Sequence, residues 1–174
     1  MSEETFPEPP AWMARLAGRF LVFDGPDGSG KSTQLRRFTD LAVRAGLHPC
    51  QARDPGGTAI GEQVRSILLD PAHDRMDVRC EMLLYMASRA QLVAEILREA
   101  RFDRRLVIAD RFVSATYAYQ GAAGGLERET IDRVAQVALG DCRPDLVLIF
   151  DVDAETAARR LAGRGKPGRY AEAQ

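Results

Sequence analysis

The run Gly25-Pro26-Asp27-Gly28-Ser29-Gly30-Lys31-Ser32 has the spacing G-x-x-x-x-G-K-[ST] in full. Glycines without a Cβ let backbone N–H groups curl around phosphate oxygens, and a helix starting there turns its positive end to the same anion. Lys31 is placed to reach β- and γ-phosphates, and the Ser32 hydroxyl to ligate Mg2+. A glycine-rich turn without a ligand is the competing reading. The motif follows a strand-like run and opens a helix-like one, which is the context phosphate binding needs. All but two of the 24 basic residues are Arg, and the exceptions are Lys31 and Lys166. A point charge on a flexible stem does what the planar guanidinium does not. The segment indicates nucleoside triphosphate binding and says nothing of a second substrate.

Other charged residues gather after apolar runs. Arg53 and Arg111 are planar bidentate donors suited to a monophosphate. Asp110, at the end of a run, stands where a carboxylate meets Mg2+ or its water shell, although an Asp-Arg pair there equally suits a structural ion pair. Tyr85 and Arg89, four apart, share a helical face. A ring there can stack on a base while the guanidinium donates to a base carbonyl; a core aromatic and a solvated charge are the plain alternatives. Asp27 inside the cradle is unfavourable beside phosphates unless a cation or donor answers it, and it also suits a turn.

The elements that must carry these residues alternate. Strands are expected at Phe20 to Phe23, His48 to Arg53, Arg105 to Ala109 and Asp145 to Phe150. Helical patterns occupy Lys31 to Ala45, Ile60 to Leu69, Val78 to Arg101, Glu127 to Leu139 and Ala154 to Ala162. Continuous apolar strands between helices indicate an α/β fold, a parallel sheet covered on both faces. In such folds ligands bind beyond the carboxyl ends of the strands, where Asp24 to Lys31, Arg53 to Thr58, Asp110-Arg111 and Asp151 fall. Residues 1–17 read as a loose leader broken by Pro7, Pro9 and Pro10, with Trp12 to Leu16 able to dock as a helical turn.

Four segments resemble the thymidylate (dTMP) kinase family of P-loop nucleoside monophosphate kinases. They are Phe23 to Gln34, Arg53-Asp54-Pro55-Gly56-Gly57-Thr58 with Ile60-Gly61-Glu62, Leu83 to Gln91, and Asp110-Arg111-Phe112 with Ala118-Tyr119-Gln120-Gly121. The resemblance implies a P-loop kinase domain over 18–174 that phosphorylates dTMP with ATP and Mg2+. It implies Gly25 to Ser32 on ATP, and Asp27, Arg53, Tyr85, Arg89, Arg111, Thr116, Tyr119 and Gln120 on dTMP. Asp27 would contact the sugar 3′-hydroxyl, and Tyr119 would crowd a 2′-hydroxyl. Ser32 and Asp110 would serve the metal. Ser88 departs from the acidic residue common at its position.

The cradle has no Arg, and the transition state needs positive charge on the moving phosphoryl group. By resemblance a lid at about 159–170 supplies it, with Arg164 the first choice and Arg160 the alternative. There Gly168 and Ala171 replace the usual Asp and Glu. The family continues with a further strand and helix, on the order of 30 residues. The expectation is therefore a sheet without its C-terminal strand, with the fourth strand an exposed apolar edge. A homodimer is also implied.

Composition narrows the rest. With 174 residues, net charge −1 and 45% apolar residues, the chain suits one domain rather than a disordered segment. The charge disfavours DNA or anionic-membrane binding. No apolar run approaches a membrane span or a signal peptide's core. Three scattered cysteines give neither a disulfide framework nor a zinc pattern, and a reducing cytoplasm is the default. Two other readings stay open: a kinase of another pyrimidine monophosphate, and a truncated homologue that binds nucleotides with weak or no turnover.

Overall fold

The structure, a computed structural model, describes residues 8–162. Four parallel strands, β1 (Phe20–Asp24), β2 (Cys50–Arg53), β3 (Val107–Asp110) and β4 (Leu146–Ile149), form one sheet in the order β2-β3-β1-β4. Helices α1 (Lys31–Arg44), α2 (Ala59–Leu69), α3 (Val78–Leu92), α4 (Arg98–Phe102), α5 (Val113–Thr116), α6 (Arg128–Leu139) and α7 (Ala154–Ala162) connect or follow them. This is the α/β architecture expected of a P-loop kinase.

Alternation along β1 divides the core. Phe20 and Val22 face one side, with Cys50, Ala52, Val107 and Ala109, and pack on Met82 and Met86 of α3 and Ile131 and Ala135 of α6. Leu21 and Phe23 face the other, with Ile108, and pack on Leu35 and Ala42 of α1. Met13 joins that second cluster from a short 3-10 helix, Ala11–Leu16, and is fully buried, while Trp12 beside it is half exposed. Aromatic pairs close both sides: Phe20 meets Phe112 edge-on with centroids 5.1 Å apart, and Phe23 stacks on Phe150 at 5.4 Å.

Register aims the site. Phe23 pairs with Asp110 and Asp110 with Arg53, so the carboxyl ends of β1, β2 and β3 finish level. Strand β3 runs to Asp110, one residue beyond the expected Ala109. The long helix expected over Val78 to Arg101 is helical throughout but divided, with a π turn at Val93–Leu97 between α3 and α4. A second π turn, Tyr117–Ala123, extends α5 in a segment where no helix was expected. Its widened turn breaks the 3.6-residue period by which a helix is read. Among the described residues β4 is an edge strand, with Leu146, Val147 and Ile149 exposed.

Candidate active site

The loop from β1 into α1 is built on left-handed glycines, and Gly30 caps α1 with no side-chain hydrogen bond to its first turn. No capping side chain thus competes with an incoming anion for the opening N–H groups of α1. Pro26, Gly28, Gly30, Thr33 and Leu161 help to line a cleft of about 220 Å³ over this loop. Lys31 is buried, and its Nζ donates to Asp110 Oδ1 at 2.8 Å.

A second cavity, of about 270 Å³, opens beyond the ends of β2 and β3. Every residue expected to bind the monophosphate lines it: Asp27, Arg53, Tyr85, Arg89, Arg111, Thr116, Tyr119 and Gln120. Asp27, Lys31 and Ser32 line both cavities, so the two spaces meet at the cradle's cation and the hydroxyl that follows it. Asp110 lines the second.

Acidic residues hold three of the four arginines of this cavity, and the fourth, Arg65, donates to the Pro55 carbonyl at 3.0 Å. Arg111 lies in the left-handed region, φ 65°, and donates through Nη2 to Asp27 Oδ1 at 2.8 Å and through Nη1 to Asp24 Oδ1 at 3.4 Å. Its guanidinium also lies over the Tyr119 ring, 5.4 Å from the centroid. Burial alone would lower its pKa, but Tyr119, Asp27 and Asp24 together outweigh this and leave it above the ordinary value. Arg53 Nη2 donates to Glu62 Oε1 at 2.7 Å, an oxygen that also accepts from Gly57 N at 2.7 Å. Thr58 caps α2 by accepting from Gly61 N, which brings Glu62 beneath this loop.

Arg89 is nearly inaccessible, with its side chain 1% exposed. Its Nε and Nη2 donate to Asp54 Oδ2 at 2.7 and 2.5 Å, and Nη2 also to the Phe112 carbonyl at 3.2 Å. Ser88 Oγ accepts from Gly56 N at 3.1 Å, tying the loop after β2 to α3. Burial raises the Asp54 pKa above the ordinary carboxylate value, against the lowering effect of Arg89.

A nucleoside triphosphate cradle that shares its floor with an arginine-lined second pocket fits a nucleotide-to-nucleotide phosphotransferase. Comparison with known proteins decides which. Residues 23–174 match the family model described as thymidylate kinase. The chain is 42% identical over 156 residues to the thymidylate kinase of Pseudomonas syringae pv. tomato, covering 89% of this chain and 74% of that one. It is 40% identical to that of Exiguobacterium sp., covering 87% and 71%. The crystal structure of thymidylate kinase from Ehrlichia chaffeensis superposes with a TM-score of 0.70 at 30% identity, covering 83% of this chain and 78% of that one. The chain belongs to the thymidylate kinase family.

Within this thymidylate kinase framework two expectations about the lid separate. Arg160 Nη1 donates to the Gly28 carbonyl at 2.9 Å, so in this structure α7 is pinned to the cradle by that side chain. Arg164 lies outside the described residues, as does the lid beyond 162. Arg65 and Asp54 also line the second cavity, although the sequence assigns a role to neither. Arg65 stands three residues after Glu62 and four before Leu69, which also lines the cavity, so helical spacing from the loop was the available signal. Asp54 had another: Arg89 sits in the stripe Met82, Met86, Arg89 and Val93 facing the core, and a buried guanidinium needs a carboxylate.

Proposed function

We propose that the chain catalyses ATP + dTMP ⇌ ADP + dTDP. A dTMP phosphate oxygen attacks the γ-phosphorus, and the bridging oxygen leaves with ADP. The observation that carries this reading is the junction of the two cavities at Asp27, Lys31 and Ser32, which lets a donor and an acceptor phosphate meet in line. The amides from Gly25 to Ser32 hold the donor, and Lys31 neutralises charge on it. Arg53 and Arg111 grip the acceptor phosphate, and Asp27 takes the sugar hydroxyl. Tyr85 and Arg89 hold the base, with Thr116, Tyr119 and Gln120 around it. A lid arginine, Arg164 or Arg160, completes the charge.

Ser32 and Asp110 fit Mg2+, a hard cation satisfied by one or two protein oxygens together with substrate phosphates. When bound, it would supply Lewis-acid stabilisation of phosphate charge.

The proposal extends to a kinase domain over 18–174 behind a leader at 1–17. It includes a homodimer to which exposed Leu83 of α3 and Ile60 and Ile67 of α2 offer apolar surface. A reducing cytoplasm suits three free cysteines, and no helix among the described residues is long and apolar enough to cross a membrane.

The test is ADP release with dTMP, dUMP, dCMP and UMP as acceptors, repeated with Lys31→Ala. Turnover with dTMP that Lys31→Ala abolishes supports the reading. Turnover confined to another acceptor, or full activity in the variant, overturns it. Tight binding of ATP and dTMP without dTDP would identify a nucleotide-binding protein instead.

A further inference from the structure

The buried pair between the loop after β2 and α3 has a polarity that bears on which base the second cavity accepts. Arg89 has five N–H donors, and the carboxylate takes one side of the guanidinium. The opposite side, Nη1, is left with poor acceptors, the Met86 thioether at 3.2 Å and Thr116 Oγ1 at a long 3.4 Å. An incoming carbonyl at Nη1 would replace weak contacts with a charge-assisted one, whereas an amino group there would face a donor with a donor. Which side of the guanidinium stays weakly satisfied is decided by Asp54, the one carboxylate in contact with it among the described residues. Asp54 Oδ1 is itself buried without a hydrogen-bond partner among those residues. That is a costly arrangement for a residue that only filled space.

We propose that Asp54 is a positioning residue for base selection: it clamps Nε and Nη2 of Arg89 so that Nη1 remains a fixed donor, favouring pyrimidines with a 4-carbonyl over those with a 4-amino group. The proposal rests on the monophosphate reading of this cavity. Neither Asp54 nor its oxygens touch the reacting phosphates in this scheme, so its effect falls on acceptor KM rather than on kcat. Glu62, Asp27 and Asp24 hold Arg53 and Arg111, Arg65 donates to the Pro55 carbonyl, and none of these carboxylates pairs with Arg89.

The experiment measures kcat and KM for dTMP and dCMP in the full chain, with Asp54→Asn, Asp54→Glu, Arg89→Gln and the Asp54→Asn/Arg89→Gln double variant. Asp54→Asn is expected to lower the dTMP-to-dCMP ratio of kcat/KM roughly tenfold or more, through dTMP KM, because a site built to donate loses its fixed donor. The KM for ATP should stay within about twofold, since Asp54 does not line the cradle cleft. Asp54→Glu keeps the charge and is expected to lose only about threefold in the ratio. In the Arg89→Gln background, Asp54→Asn should have no further effect on the ratio. Overturning results are an unchanged ratio in Asp54→Asn, or in Asp54→Glu should the Asn variant not fold. Independent, multiplying effects in the double variant would also overturn it. A parent chain that phosphorylates no pyrimidine monophosphate defeats the underlying reading. An active parent indifferent to Asp54 defeats this inference alone.

Discussion

Lys31 Nζ and Asp110 Oδ1 stand 2.8 Å apart, so the cradle's cation and the carboxylate ending β3 neutralise each other where the two cavities meet. The lysine is almost wholly buried and the aspartate about one-third exposed, so the cation depends on its partner more than the carboxylate does. Phosphates entering the cradle must compete with Asp110 for this ammonium. Asp110→Asn is therefore expected to tighten Mg2+-free ATP binding by roughly three- to tenfold, because the competitor is gone. With Mg2+ the same variant should lose turnover, since an oxygen of the proposed metal site is lost too. Titration calorimetry in EDTA, beside a steady-state assay with Mg2+, separates the two effects. Weaker ATP binding in EDTA would count against the competition.

The approach of α7 to the cradle yields a prediction at Gly28. Its φ is +81°, and a Cβ there would lie 2.8 Å from the Ala157 carbonyl oxygen and 3.0 Å from its Cα. Both are backbone atoms of a helix whose Ala157 is buried, so nothing flexible can give way. Gly30 has a similar φ of +90°, yet a Cβ there meets nothing within 4 Å. Gly30→Ala should cost only the conformational strain, about 1 kcal/mol. Gly28→Ala should add a steric term and destabilise by roughly 2–4 kcal/mol, with α7 displaced and the Arg160 contact to Gly28 lost. Urea unfolding of both variants measures the difference. Equal losses would show that the α7 contact contributes nothing to stability.

Patterns with a strict period are legible in the amino-acid sequence itself. The apolar run Phe20 to Phe23, the cradle's glycine spacing and the 3.6-residue face of α1 each specify local structure, and together they place the phosphate site at the sheet's carboxyl edge. The acceptor residues were reached through their segments' likeness to a family, because isolated arginines such as Arg53 and Arg111 look the same in a salt bridge and in a phosphate clamp. What stayed hidden depends on partners distant in sequence. Asp54 and Arg89 are 35 positions apart, and neither residue alone announces the pair. The π turn that carries Tyr119 and Gln120 has no apolar period to betray it.

Glu62 makes the stability of the second loop sensitive to acid. The Gly57 N–H, then Arg53, hold its pKa below the ordinary 4.5, and the group is exposed. A carboxylate depressed in the folded state binds fewer protons there than in the unfolded chain, so stability falls as pH falls. The contribution is complete above 4.5 and disappears as pH drops through the lowered value. Asp145 and Asp153 are also depressed and contribute in the same acid range. Comparison with Glu62→Gln isolates the share of Glu62. Melting curves from pH 7 to pH 3 should show the parent more stable at neutral pH and the two converging in acid. A gap that persists undiminished at pH 3 would contradict the linkage.

Arg111 allows stability and activity to be pulled apart. Its φ of 65° is strained for any residue with a Cβ, and glycine there is not. Removing the guanidinium also leaves Asp24, which is nearly buried. That carboxylate keeps the Gly25 N–H at 2.8 Å and the Ser114 hydroxyl as donors, so its oxygens stay satisfied. Relief of strain and loss of an ion pair then roughly cancel, and Arg111→Gly should unfold within about 1 kcal/mol of the parent. The proposed phosphate grip is lost outright, so kcat/KM for dTMP should fall by roughly 10²-fold or more. Arg111→Lys should recover little, because a single ammonium cannot span Asp24, Asp27 and a phosphate together. ATP affinity should be unaffected, since Arg111 does not line the cradle cleft. A stable Arg111→Gly protein that keeps full turnover on dTMP would remove Arg111 from the acceptor site, and the second cavity would then need another cation, with Arg65 the next to test.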